Sequence, residues 1–381
     1  MPKITIDQAI PYGQDCFQTL GEVTALPAEQ IQTEAIKDTE ILVVRSTTNV
    51  NHNLLDGSAV RFVGSATAGL NHLDLDYLQK NKITVAHAPG GNAISVAEYV
   101  IAALFSLDQK GLISCNGLKL GVVGVGQVGR LVVQMATALG MTVLQNDPPR
   151  AAQSDSNVFV PLDALMDCDV ITLHVPLHLF GHHCTHRLFD ASRLRLMKSG
   201  SVLINAARGE VVDETALLAA LRDGHLRGAV LDVWANEPNI NAQLLECVTL
   251  ATPHIAGYSQ DGRINGTTLV YEAVCRFLGQ SPCWKPHLPL SHPRPILPQI
   301  LGEDNMATAI HEVIRQVYDI EADDRELRGL LQVSEVARKD CFKRIRNEYP
   351  PRREFSNYAV CVEKGQVALG KKLRALGFVE N

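Results

Sequence analysis

No stretch of this 381-residue chain runs uninterrupted through apolar residues for the roughly 18 positions a membrane helix needs. Its N-terminus, MPKITIDQAIPYG, also lacks the apolar core of an export signal. A cytoplasmic protein is therefore expected. The nine cysteines are scattered, odd in number and include no CxxC pair, which leaves neither a disulfide framework nor a compact zinc motif and points to reduced, mostly buried thiols. There is no basic excess either. A net charge of −6 and an isoelectric point near 6.1 argue against nucleic acid as a general partner, so any anionic substrate must be drawn by local arginines and lysines. The chain does have ample core-forming material. Hydrophobic residues make up 46% and charged residues 20%, and the length suits two or three domains.

The stretch around which the rest is organised begins LKLGVVGVGQVGR at Leu118. A short apolar run, Leu120 to Val123, leads into Gly124, Gly126 and Gly129 at GxGxxG spacing, and an apolar helical pattern over Leu131 to Leu139 follows. Strand, tight turn and helix in that order make a dinucleotide-binding loop. The first glycine permits the turn, the second lets backbone approach a pyrophosphate, and the third lets helix pack on strand. A second strand, Thr142 to Gln145, ends at Asp147, 18 residues beyond Gly129. An acid there can take the adenosine ribose hydroxyls and repel a 2′-phosphate, so the implied cofactor is NAD rather than NADP. Arg150 lies close enough to soften that preference.

Upstream, residues 1–92 form a small α/β unit, with β-rich runs at Lys3 to Ile6, Ile41 to Val44 and Val60 to Val63. Ser46 and Thr67 sit in the loops after two of these runs. Such hydroxyls can hold an anion, but taken alone each reads first as a cap on the following helix. At Pro89 the chain changes domain. Ser95 and Glu98 stand at capping-box spacing, and Val96, Val100, Ala103 and Leu107 line one face of a long helix expected to bridge two lobes. Apolar strands at Val170 to Leu173, Ser201 to Asn205 and Gly228 to Val233 alternate with helical stretches, which means a parallel sheet covered on both faces. The loop holding His174, His178, His182, His183, Cys184 and His186 invites a metal reading. Its spacing matches no compact ligand pattern, so solvated histidines, and no metal, are expected.

Three chemically useful residues follow strands at the edge that carries the glycine loop. Arg208 comes after the strand ending at Asn205, Glu237 after Val233, and His254 after a run at Val248 to Ala251. A guanidinium can hold a carboxylate, an imidazole can move a proton, and a second carboxylate can orient that imidazole.

The motifs NAARG at Asn205 to Gly209, DVWANEP at Asp232 to Pro238 and TPHIAG at Thr252 to Gly257, with the glycine loop, resemble the D-isomer-specific 2-hydroxyacid dehydrogenases over residues 1 to about 280. The resemblance implies two Rossmann-like doubly wound parallel-sheet lobes, with the active site in their cleft. Residues 1–92 and 257–285 would form the substrate lobe and 93–256 the NAD-binding lobe. In the implied site Arg208 binds the substrate carboxylate and carbonyl, His254 is the acid/base and Glu237 its partner. Implied cofactor contacts are Gly124, Gly126, Gln127, Val128, Gly129, Asp147, Val175, Ala206, Ala207, Arg208, Asp232 and Gly257. Ser46, Thr67 and Tyr258 are the substrate candidates.

Beyond this, SPCWKPHLPLSHPRPILP holds six of the 18 prolines and reads as an extended linker over 286–300. Residues 301–381 are expected to form a small α+β C-terminal domain, with a helix near Met306 to Ile320 and a strand-like YAVCV at 358–362. The βαββαβ alternation of an ACT-type regulatory module is missing. By resemblance this domain would make a homodimer, and the substrate would be a phosphorylated 2-hydroxyacid. The basic run Arg344, Arg346, Arg352 and Arg353 is expected to be a solvated face, with substrate-phosphate binding as the other reading. Two alternatives to such an enzyme are a relative acting on 3-phosphoglycerate or glyoxylate, and an NAD(H)-sensing corepressor-like protein of the same fold.

Overall fold

The computed structural model describes residues 1–153, 157–286, 306–362 and 365–380, which fall into two compact units. The first holds Met1–Asn92 and the segment from Ser259. Its parallel sheet has the order β2-β1-β3-β4-β5, with β1 Lys3–Asp7, β2 Glu22–Leu26, β3 Ile41–Val44, β4 Phe62–Ser65 and β5 Thr84–His87. The central strands β3 and β4 are buried throughout, as a sheet covered on both faces requires. The β-rich runs locate β1, β3 and β4, the last of these two residues early, but do not reveal β2 and β5. Those two strands are the edges, and their residues are half-exposed, so they lack the continuous apolar run that marks a buried strand.

The second unit comprises Ala93–Tyr258 and the described C-terminal residues. Its six-stranded parallel sheet runs β11-β10-β9-β8-β6-β7, built from β6 Lys119–Val123, β7 Thr142–Asn146, β8 Val170–Leu173, β9 Val202–Asn205, β10 Gly228–Leu231 and β11 Leu250–Ala251. The chain order reverses between β6 and β8. In such open sheets the crevice at the carboxyl ends beside that reversal is where ligands bind.

The helix Ala93–Gln109 belongs to this second unit. Fourteen of its 17 residues are buried, so it is enclosed rather than amphipathic. It packs against Gln127–Ala138 on one side and Met306–Val317 on another. The expected capping box does not form, because the helix already begins at Ala93. Ser95 instead donates to Glu354 Oε1 (2.8 Å), and Glu98 Oε1 accepts the Phe355 N–H (2.7 Å). Both polar groups thus anchor C-terminal residues.

The C-terminal segment is α+β as expected. It contains helices Met306–Val317, Ile320–Arg328, Glu335–Asn347 and Val367–Ala375, and a parallel pair, β12 Ala359–Val360 with β13 Val379–Glu380. Ile310, Val313 and Ile314 share a core with the Ala93–Gln109 helix, while Leu327, Leu330, Phe342 and Ile345 share one with β8, β9 and β10. The segment therefore clusters with the nucleotide lobe. The proline-rich stretch expected as a linker lies, from 287 onward, outside the described residues. Among the described residues no helix is long and apolar enough to cross a membrane.

Candidate active site

The glycine loop leaves β6 as its spacing demands. Gly124 has φ +84°, and a Cβ there would meet the His174 carbonyl at 2.7 Å. A Cβ on Gly129 would lie 2.0 Å from the Gly124 carbonyl oxygen, so the helix could not close on the strand. At Gly126, the N-cap of Gln127–Ala138, a Cβ would meet nothing within 4 Å. Bare backbone amides and a helix N-terminus therefore face open space, the environment a pyrophosphate needs. Gln127 is exposed beside this opening and Val128 half-buried, while Val175 follows β8 at the reversal point.

Asp147 directly follows β7, but its carboxylate already has partners. Oδ2 accepts the Val125 N–H (2.8 Å), and Oδ1 caps the short helix Pro148–Ala151 through the Arg150 N–H (3.1 Å). The Arg150 guanidinium donates to the Val125 carbonyl. A carboxylate has about four lone-pair sites, so Asp147 ties the loop to β7 and keeps capacity for two ribose hydroxyls. The donor set and the open cradle fit NAD.

On the next strands, Asn205 is fully buried at the end of β9. Its Nδ2 donates to the Arg208 carbonyl (2.9 Å), and its Oδ1 accepts the Ala207 N–H (3.0 Å), which shapes the Ala206–Arg208 turn. Gly209 then packs so closely on the Trp234–Ala235 backbone that a Cβ would sit 2.0 Å from the Trp234 carbonyl carbon. This close approach joins the Arg208 turn to the Glu237 loop. Burial weakens proton holding by the Arg208 guanidinium, and the negative fields of Glu237 and Glu210 oppose that effect.

His254 has φ +59°, a left-handed conformation costly for a residue with a side chain. Asp232 holds it there. The Asp232 carbonyl accepts the His254 N–H (2.7 Å) and its buried carboxylate takes Ile255 N–H (2.7 Å), Ala256 N–H (3.0 Å) and the Thr252 hydroxyl (2.7 Å). Asp232, expected as a cofactor contact, thus shapes the histidine loop. His254 Nδ1 lies 2.7 Å from Glu237 Oε2, while Glu237 Oε1 accepts the Trp234 N–H (2.9 Å). Burial raises the affinity of Glu237 for a proton, but His254, the Trp234 amide and Arg346 outweigh it and hold the carboxyl below its ordinary range. Nδ1 is thereby engaged, which leaves Nε2 for a substrate. Gly257 and Tyr258 are half-buried in the turn that follows.

The two hydroxyls of the first unit are not helix caps. Asn51 caps His52–Leu55 and Asp74 caps Leu75–Lys80. Ser46 is exposed in the turn after β3, and Thr67 Oγ1 is 2.8 Å from Ser65 Oγ. The expected solvated basic face is overturned at three of its four arginines. Arg352 and Arg353 are buried. Arg352 donates to the Ala256 carbonyl (2.8 Å) with its guanidinium 3.9 Å from the Tyr318 ring centre. Arg346 donates to the Tyr258 hydroxyl (3.1 Å), and only Arg344 remains on the surface. Sequence reasoning misses Asn205 as the shaper of its turn, although a polar residue ending an apolar strand is a visible signal. In the histidine loop, His182, His183 and His186 are exposed, and burial pushes His174 down to about 3. No group of three metal-ligating side chains assembles among the described residues.

Comparison with known proteins places this geometry in a class. The sequence profile described as D-isomer specific 2-hydroxyacid dehydrogenase, NAD binding domain, matches residues 101–256, and one for a domain of unknown function matches 293–377. Among solved structures, the TT0316 protein of Thermus thermophilus is similar at TM-score 0.62 and 26% identity, over 74% of this chain and 98% of that one. The D-lactate dehydrogenase of Aquifex aeolicus, complexed with NAD and lactic acid, is similar at TM-score 0.60 and 27% identity, over 73% and 95%. The class is that of the NAD-binding D-2-hydroxyacid dehydrogenases. The chain is 41% identical to the erythronate-4-phosphate dehydrogenase of Proteus mirabilis, over 99% of this chain and 98% of that one, and 43% identical to that of Salinibacter ruber, over 94% and 93%. Within the class, the chain belongs to the erythronate-4-phosphate dehydrogenase family.

Proposed function

We infer that this protein oxidises 4-phospho-D-erythronate to 2-oxo-3-hydroxy-4-phosphobutanoate, a step towards pyridoxal phosphate. The observation that carries this is the 2.7 Å Glu237–His254 pair, on the sheet edge that also bears Arg208 and the glycine loop, in a chain alike over its whole length to enzymes of that name. NAD⁺ at the glycine loop supplies the acceptor for the hydride that leaves C2. His254 Nε2 takes the C2 hydroxyl proton, and Glu237 orients the ring and stabilises the charge it gains. Arg208 holds the carboxylate and the forming carbonyl oxygen, which combines positioning with charge stabilisation. Asp147 selects NAD over NADP through the ribose hydroxyls, while Ser46, Thr67 and Tyr258 contact the substrate. The protein works in the cytoplasm as a homodimer formed through its C-terminal domain.

The test is single-turnover cofactor reduction by purified protein with a panel of phosphorylated and unphosphorylated 2-hydroxyacids. 4-Phosphoerythronate with NAD should be the fastest pair, and Asp147→Ala should narrow the preference over NADP. Faster turnover of 3-phosphoglycerate or an unphosphorylated acid, or equal use of both cofactors by the unmodified protein, refutes the reading.

A further inference from the structure

The chemistry above draws nothing from the C-terminal segment, yet one side chain of that segment meets the acid/base pair. Arg346 stands in the last turn of Glu335–Asn347. Its Nη1 lies 4.0 Å from Glu237 Oε2, the same oxygen that faces His254 Nδ1. Its Nη2 donates to the Tyr258 hydroxyl (3.1 Å), its guanidinium carbon is 5.5 Å from the Tyr258 ring centre, and its Nε is buried with no hydrogen-bond partner. Tyr258 is in turn held edge-on by Tyr349, at 6.0 Å between ring centres. The guanidinium is therefore fixed by aromatic contacts and is only 26% exposed, so solvent screens it incompletely.

We propose that Arg346 is a positioning residue for the Glu237–His254 pair, a cation from the C-terminal segment that shares the Glu237 carboxylate with the histidine and so keeps the ring available as a base. The proposal rests on reading His254 as the proton acceptor. A lone carboxylate at 2.7 Å would favour the proton-bearing ring, which is the wrong starting state for oxidation. A cation at the same oxygen offsets part of that attraction while leaving the orienting contact intact. Among the described residues Arg208 after β9 and Glu214 on the helix Glu214–Arg222 also act on Glu237, Glu210 acting on both of these in turn, and all remain when Arg346 is changed.

The experiment follows the His254 ring by NMR titration of the full-length protein, alongside the pH profile of kcat/KM. In Arg346→Gln the His254 midpoint should move to higher pH by roughly half a unit or more, the size expected for losing a unit charge a few ångströms away in a partly screened site. Arg346→Lys, which keeps the charge without the planar fork, should move it less, and serves alone if the Gln variant does not fold. The acidic limb of kcat/KM should move with the ring. A His254 midpoint that stays put in a folded variant overturns the proposal and leaves Arg346 as a mere tether. A midpoint that moves while the limb does not supports the positioning role but counts against His254 as the base, so the two failures are distinguishable.

Discussion

At the scale of single residues, the site depends on a few side chains and backbone positions that leave little latitude. Glu237 has both carboxylate oxygens engaged, so it cannot turn away from His254 without losing the Trp234 amide. Replacing it with Gln keeps the shape and removes the charge. With less attraction for the protonated ring, acid inactivation requires more acid, and the low-pH limb of the kcat/KM profile should shift downward, opposite to the shift expected for Arg346→Gln. The maximal rate should fall as well, because a less firmly oriented ring is a poorer base. His254→Ala should lose about 10² to 10⁴ in turnover, with NAD affinity retained in both variants. An acidic limb unchanged by Glu237→Gln would mean that another group controls it. His254 itself, at φ +59°, shows why a loop residue needs buried support, since three protein groups converge on the Asp232 carboxylate to hold the turn.

At the scale of elements, the helix Ile320–Arg328 does for β11 what a further strand would otherwise do. Asp324 accepts the Ala251 N–H (2.8 Å), and Arg328 donates to the Leu245 and Val248 carbonyls (2.7 Å each). A sheet edge that could pair with another chain is thereby covered. The same helix buries Asp323 at 8% exposure. Burial pushes this carboxyl up to about 6, against the Tyr349 hydroxyl and Arg352, which pull it down. The folded state thus binds this proton more tightly than the unfolded chain, so the Asp323 contribution is most favourable below about pH 4 and is lost as pH rises through about 6. Asp323→Asn mimics the protonated form and can still accept from Tyr349. Chemical denaturation should find the variant more stable by roughly 2–3 kcal/mol at pH 7.5, the worth of about two pH units, with the gain vanishing near pH 4. A gain independent of pH would mean that it does not come from the titration of Asp323, and a loss at pH 7.5 would show that Asp323 is ionised and well paired.

At the scale of the whole molecule, the C-terminal residues carry two roles that a separate appendage could not combine. They complete the core of the nucleotide lobe and supply Arg346 to the acid/base pair, so truncating them would strip buried surface from the enzyme. Their proposed part in dimerisation is therefore better tested on the intact chain. Sedimentation equilibrium should give a dimer mass, and dilution through its dissociation should speed amide exchange within residues 306–380 above all. A monomer at micromolar concentration, or new exchange confined to the first unit, would refute dimerisation through this segment.

Much of the fold is legible in the amino-acid sequence alone. The apolar runs that form β3, β6, β8, β9 and β10 are buried on both faces, so continuous hydrophobicity suffices to locate them. The glycine spacing, the acid after β7 and the trio Arg208, Glu237 and His254 follow from local chemistry at strand ends, which a sequence displays directly. The edge strands β2 and β5 stay hidden because half-solvated strands need no apolar run. Tertiary structure decided the fate of Ser95, Glu98, Arg346 and Arg352. A polar residue on a helix or in a basic run looks the same whether water or a distant carbonyl receives it, and its partner lies as many as 259 positions away along the chain. Burial turned those residues from expected caps and a solvated face into ties between the C-terminal segment and the rest of the nucleotide lobe, Arg346 and Arg352 reaching the turn after His254.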